Sequence, residues 1–174
     1  MRRIDAVITW VDGSDLEYKK KIGKHLTSST NYKKQYLQAN EIEYCVKSIL
    51  KFAPFVRRIF IVTDNQKPSF KGLEDLIVSN KVKIVDHKEI FKGYEKYLPT
   101  FNIRSIDAVL HRIDGLSEMF VYFNDDVFLI NKIHEEDWFL KDKVVLMGNW
   151  AKSYSVNPIK IVSEKFKKII GARP

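Results

Sequence analysis

Cysteine is nearly absent from this sequence: there is one, Cys45, in 174 residues. A lone thiol excludes an internal disulfide, and with 4 histidines scattered along the chain no Cys/His cluster offers a zinc site. A reducing compartment is the expectation that follows. Also missing is any apolar run of about 18 residues, the length a membrane-crossing helix needs. The N-terminal stretch from Met1 meets Asp5 and then Asp12 before it reaches the length of a signal-peptide core. The expected protein is therefore soluble and cytoplasmic, or peripheral to the inner face of a bacterial membrane. There is no internal repeat, no linker and no recognised nucleic-acid motif. The aromatics lie in apolar runs and are not interleaved with Lys and Arg, which argues against nucleic acid as a partner.

What is present is a core. Hydrophobic residues make up 45% of the chain and aromatics 13%, enough for one globular domain over 1–174. The net charge of +8 suits an anionic partner: nucleic acid, anionic lipid, or a phosphorylated or polyanionic substrate. Charge alone does not choose among them.

The patterning alternates strands with helices. Ile4–Val11, Arg58–Thr63, Lys81–Val85 and Met119–Phe123 are apolar, β-branched runs of strand length, with Val127–Ile130 resuming the fourth and Val144–Met147 a further candidate. Ser14-Asp15-Leu16-Glu17 has capping-box form and opens a helix, after which residues 19–38 are polar, aperiodic and expected to be exposed. Ile42, Cys45, Val46, Ile49, Leu50 and Ala53 fall at helical spacing up to Pro54. A second amphipathic helix is expected through Ile106, Val109, Leu110 and Ile113, with Gly115 in its C-terminal turn. A last one follows Asn157-Pro158, with Lys165, Lys167 and Lys168 opposite its apolar stripe. This order implies an α/β fold with a mainly parallel sheet flanked by helices.

Acids recur where strands end: Asp12 with Asp15, Asp64, and Asp125 with Asp126. In an open α/β sheet ligands bind beyond the carboxyl ends of the strands. Carboxylates there can hold a divalent cation together with substrate phosphates, orient sugar hydroxyls, or take a proton from an attacking hydroxyl. Asp-Gly after a strand is also ordinary turn chemistry. The pair Asp125-Asp126, inside an apolar run, is harder to explain without a cation or polar ligand.

At these residues the chain resembles the Stealth family of sugar-1-phosphate transferases. One family block is similar to residues 4–15 (IDAVITWVDGSD). A longer one is similar to residues 40–130, through NEIEY at 40–44, FAPFVRRIFIVTDNQ at 52–66, VDH at 85–87, LPTFN at 98–102, LHRIDGLSE at 110–118 and YFNDDVFL at 122–129. The family carries arginine where Glu43 and Lys47 stand here, so no phosphate-binding role passes to Glu43. Two later family blocks, which bring His and Arg to the diphosphate, have no match after Ile130. On this resemblance the chain is expected to be the N-terminal part of a longer catalytic domain, inactive by itself.

The resemblance implies a Rossmann-like fold of nucleotide-sugar-transferase type. It also implies transfer of a hexose- or hexosamine-1-phosphate from a nucleotide sugar to a sugar hydroxyl of an oligosaccharide or polysaccharide, as in capsule or exopolysaccharide synthesis. The implied cofactor is a divalent cation, Mg or Mn. Asp125 and Asp126 are the expected catalytic and metal-binding pair, with Asp126 as base or as metal ligand. Trp10, Asp12, Gly13, Asp15, Asp64, Asn102, His111, Arg112 and Asn124 are the expected substrate contacts. For several a structural role stands equally open: core packing for Trp10, a turn for Asp64, helix capping for Asn102, and capping or packing for His111. Homo-oligomerisation fits the apolar stripe of the last helix. The rival functions are a glycosyltransferase using the same acids and a non-catalytic basic fragment that binds polyanions.

Overall fold

The computed structural model describes residues 2–25, 39–141 and 143–148. The last predicted helix, at 157–170, lies outside them. Residues 1–137 form an α/β unit, and a second unit begins at Trp138.

The first unit is built on four parallel strands: β1 (Ile4–Thr9), β2 (Ile59–Thr63), β3 (Val82–Asp86) and β4 (Met119–Asn124). Their order in the sheet is β3-β2-β1-β4. β1 and β2 are mostly apolar because both faces are covered: every residue of each is buried, with Asp5, Thr9 and Thr63 the polar exceptions. The strand order reverses at β1, so β2 and β4 flank it on opposite sides. That reversal opens a crevice at the carboxyl ends of β1 and β4, the switch point where ligands of such sheets bind.

Helices α1 (Leu16–His25) and α2 (Glu41–Phe52) fall between β1 and β2, and α3 (Leu73–Val78) between β2 and β3. Two short helices, α4 (His87–Ile90) and α5 (Ile103–Asp107), lead from β3 towards β4. On one face of the sheet Val7, Phe60, Val62 and Val85 pack with Ile90, Phe91, Ile106, Leu110 and Ile113. On the other, Ala6, Ile8, Ile59 and Ile61 are fully buried. The stripe of α2 buries Ile42, Cys45, Val46 and Ile49, as its spacing predicts. In the second unit Phe139–Leu140 and Lys143–Val144 pair antiparallel as β5 and β6. Among the described residues no helix is long and apolar enough to cross a membrane.

Several local expectations are corrected. The helix after β1 is capped by Asp15, not Ser14: the Tyr18 amide donates to Asp15 Oδ1 at 2.7 Å, and the Ser14 amide turns back to Asp12 Oδ1 at 2.7 Å. That helix continues to His25, so part of the polar stretch after residue 19 is ordered by the burial of Tyr18 and Ile22. The helix expected through Ile113 stops at Asp107 and gives way to a tight turn at Leu110–Arg112, whose bonds span three residues. Ile106, Leu110 and Ile113 still reach the core, because that turn keeps a similar spacing. Gly115 has φ +79°, a conformation its missing Cβ permits. Residues 127–130 form no strand; the Leu129 amide bonds a side chain instead of a ladder. Val145 to Met147 form no strand, and Leu146 and Met147 are exposed. The period-based reading passed over α3 and α4, which are too short for one.

At the amino end of the sheet lies a buried charge. Asp5, the second residue of β1 and fully buried, is gripped by Arg57 through Nε (2.9 Å to Oδ1) and Nη2 (2.6 Å to Oδ2). The Ser117 amide donates to Oδ2 at 2.8 Å and the Arg58 amide to Oδ1 at 3.2 Å. Arg57 also donates to the Gly115 carbonyl at 2.8 Å. One carboxylate thus joins the entries of β1, β2 and β4. Burial pushes the Asp5 pKa up, but the hydrogen bonds from Arg57 and Ser117 outweigh it and hold the group below the usual carboxylate value.

Asp5→Asn is expected to destabilise the chain by about 2–4 kcal/mol in urea denaturation, because it strips the charge from a buried pair and turns an acceptor into a donor. Because the folded pKa lies below the unfolded one, the clamp contributes fully above the ordinary Asp value of about 3.9 and is lost as pH falls through the folded value. Wild-type stability should therefore decline across that acid range more steeply than that of Asp5→Asn, a difference that denaturation curves at a series of pH values would show.

Candidate functional site

Parallel strands place all their carboxyl ends on one edge. Thr9 to Asp12 after β1, Thr63 to Gln66 after β2, Asp86 and His87 after β3, and Asn124 to Asp126 after β4 therefore share it. A hollow of about 170 Å³ opens there, walled by Trp10, Val62, Phe101, Ile103 and Ile106, with His87, Thr9, Asn124 and Asp125 also on its lining.

Trp10 is 8% exposed, the core position expected as its structural role, and it walls the hollow. Asp12 and Gln66 tie the first two loops together, the Asp12 amide donating to Gln66 Oε1 at 2.8 Å and Gln66 Nε2 returning to the Asp12 carbonyl at 3.0 Å. The Asp12 carboxylate closes the half-buried Gly13 turn through Ser14, and Asp15 caps α1. Asp64 accepts a forked contact from Lys21 Nζ, 3.0 Å to each oxygen. Asn102 caps α5, taking the Arg104 amide at 3.1 Å. Asn124 Oδ1 accepts from the Tyr122 hydroxyl at 2.9 Å, and that hydroxyl lies 2.8 Å from Thr9 Oγ1, a polar chain across the switch point between β4 and β1. His111 and Arg112 are not on the lining; Arg112 donates to the Lys92 carbonyl at 2.6 Å and lies 4.9 Å above the Tyr94 ring.

The acidic turn rests on α2. Cys45 Sγ approaches the Asn124 carbonyl at 3.7 Å. Ser48 Oγ donates to the Cys45 carbonyl at 2.8 Å and accepts the Leu129 amide at 3.0 Å, and the Phe52 carbonyl accepts the Ile133 amide at 2.8 Å. One helix face thus holds the chain on both sides of Asp125 and Asp126. Burial first, and then the charges of Asp125 and Asp126, push the Cys45 thiol up to about 12. It stays protonated, a packing group and not a nucleophile.

His87 escaped the sequence reading. It is 3% exposed and lines the hollow, and its Nδ1 has no partner among the described residues. Burial lowers its pKa, only partly offset by Asp64 and Asp86, and Lys21 pushes the same way as burial, so the ring is neutral near pH 7. The signal that singled out Asp12 and Asp64, a polar residue directly after a strand, marks His87 equally. Thr9 and Tyr122 could not be found that way, because they lie within strands.

Among the described residues no three His, Cys, Asp or Glu side chains cluster to hold a metal ion. A cage of three or more such side chains is therefore not formed among the described residues.

The family model "Stealth protein CR1, conserved region 1" matches residues 2–26. "Stealth protein CR2, conserved region 2" matches residues 35–147, which include β2, β3, β4 and the acidic turn. The capsular polysaccharide phosphotransferase cps12A of Actinobacillus pleuropneumoniae is 43% identical over 162 residues, 87% of this chain and 42% of that protein. Fcs1 of Haemophilus influenzae, a capsular polysaccharide phosphotransferase, is 44% identical over 142 residues, covering 78% of this chain and 37% of its own length. The receptor polysaccharide phosphotransferase WefC of Streptococcus oralis is 34% identical over 184 residues, 97% of this chain and 54% of its own. The chain thus spans about half or less of the length of these relatives. With one conserved-region model running through most of its described sheet and the other covering its first strand, the chain belongs to the Stealth protein family.

Proposed function

We propose that this protein takes part in transferring a hexose- or hexosamine-1-phosphate from a nucleotide sugar to a sugar hydroxyl in capsule or exopolysaccharide synthesis. The observation that carries the reading is the position of Asp125-Asp126: on the turn after β4, at the switch point, beside a hollow also lined by the end of β1. The family membership and the names of the relatives support it.

In this reaction the acceptor oxygen bonds to the phosphorus that carries the donor sugar. The bond from that phosphorus to the bridging oxygen breaks, and the nucleoside monophosphate leaves with the electron pair. Asp126, exposed at the turn, would take the acceptor's proton. Asp125 and Asp126 would hold a Mg or Mn ion with the diphosphate oxygens, and that ion would supply charge neutralisation. His87, neutral and buried, offers a ring nitrogen to a polar edge of the donor. Thr9, Tyr122 and Asn124 hold the two loops at a fixed separation, so much of the catalysis is positioning.

Asp126→Asn is expected to lower transfer at least about 10²-fold while the melting temperature stays within about 2 °C, since an exposed isosteric swap removes only charge. A full-length version of the protein would be assayed with a divalent cation, a panel of nucleotide sugars and an oligosaccharide acceptor. Release of nucleoside monophosphate supports the proposal; release of nucleoside diphosphate would point to a glycosyltransferase. Turnover of the variant at the wild-type rate would remove Asp126 from the mechanism.

Ser48→Ala, which leaves the Leu129 amide without its acceptor, should loosen the acidic turn. The expected result is a kcat about tenfold lower with KM for the donor nearly unchanged, and recovery in Ser48→Thr. Equal kcat in the alanine variant would show that α2 does not position the turn.

A further inference from the structure

A second hollow lies on the far side of α5 from the first. It is an open cleft of about 410 Å³ with Phe91 and Val109 as apolar lining, Tyr94 and Tyr97 as exposed aromatic lining, and the side chains of Thr100 and Ser105 alongside. Its size falls within the roughly 300–1,000 Å³ of ligand clefts, whereas the 170 Å³ hollow is nearer the roughly 150 Å³ that accommodates a single benzene ring. Thr100 lines both, and α5 lies between them, with Ile103 and Ile106 on one and Ser105 and Val109 on the other.

The cleft's lining is aromatic and hydroxylic, and two cations lie against its tyrosines. Tyr94 and Tyr97 are 51% and 58% exposed, with ring centroids 6.5 Å apart. They are fixed by successive tight turns: the Tyr94 amide bonds the Phe91 carbonyl at 2.7 Å and the Tyr97 amide the Tyr94 carbonyl at 3.0 Å. Arg112 lies 4.9 Å over Tyr94, and Lys96 5.0 Å over Tyr97. Arg112 Nη1 is buried and has no partner among the described residues. The nearby acid Glu95 is turned to the backbone, accepting the Gly93 amide at 2.7 Å, and Arg112 and Lys92 help to hold its pKa down.

We propose that this cleft binds the acceptor: a saccharide chain carrying phosphodiesters, with sugar rings against the tyrosine faces and a phosphate at Arg112 and Lys96. The proposal rests on the transferase reading. Adding a sugar 1-phosphate to a hydroxyl creates a phosphodiester, so an acceptor that is itself an earlier product carries this charge. Rigid tyrosines give large contact area at small entropy cost, and an Arg fork suits a phosphate. The wall shared at Thr100 leads such a chain towards the acidic edge.

Calorimetry on the 174-residue chain would test this with four probes: an oligosaccharide of phosphodiester-linked hexoses, a neutral oligosaccharide of equal length, single-stranded RNA, and anionic phospholipid vesicles. The phosphodiester oligosaccharide should bind best, more weakly as salt rises. Tyr97→Ala, at an exposed position, should weaken it roughly tenfold with an unchanged melting temperature, and Tyr97→Phe should restore it. Lys96→Gln should reduce binding of the charged oligosaccharide and not of the neutral one. Wild-type binding by Tyr97→Ala would overturn the proposal, as would equal or tighter binding of the neutral sugar, the RNA or the vesicles. Nucleotide-sugar binding, measured on the same variants, should be unaffected. A chain that binds nucleotide sugar and not the saccharide overturns the cleft alone. One that binds the saccharide, while a full-length version assayed with donor releases no nucleoside monophosphate, supports the cleft and overturns the transferase reading.

Discussion

The arrangement of this sheet depends on one buried carboxylate. Asp5 sits in the central strand with Arg57 on both oxygens, and it also takes the Ser117 and Arg58 amides. A buried charge without these partners would be expensive, so the three strand entries it joins are held in a single register. Because the strands are parallel, fixing their amino ends also fixes where their carboxyl ends emerge. Thr9 then stands opposite Asn124, and the acidic turn sits beside the end of β1.

At the carboxyl edge the acids divide by what they touch. Asp12, Asp15 and Asp86 accept backbone amides in turns and caps, and Asp64 is held by Lys21. These contacts shape the loops. Asp125, half-buried, and Asp126, exposed, stand on a turn that α2 supports through backbone and Ser48 contacts on either side. Rigid support of the chain with charge at the turn is the arrangement that electrostatic catalysis requires, since donors and acceptors fixed before reaction need no reorganisation. The segment from α4 to Arg112 forms the remaining walls: Phe101, Ile103 and Ile106 face the first hollow, and Phe91, Tyr94 and Tyr97 the second.

The sequence by itself determined the four strands of the parallel sheet, the α2 stripe and the gathering of acids at strand ends. Each depends on local pattern, such as β-branched runs, helical spacing and the turn after a strand, and local pattern survives without knowledge of neighbours. It could not decide what each acid does, because that depends on partners far along the chain: Gln66 for Asp12, Lys21 for Asp64, Arg57 for Asp5. Nor could it decide that the segment after Asn102 breaks at Asp107, because a helix and a tighter turn bury the same Ile106, Leu110 and Ile113. The orphaned ring nitrogen of His87, the Thr9–Tyr122–Asn124 chain and the tyrosine cleft arise only when strands distant in sequence are set side by side. Burial and hydrogen-bond completion are properties of the packed chain, and only the tertiary structure sets them.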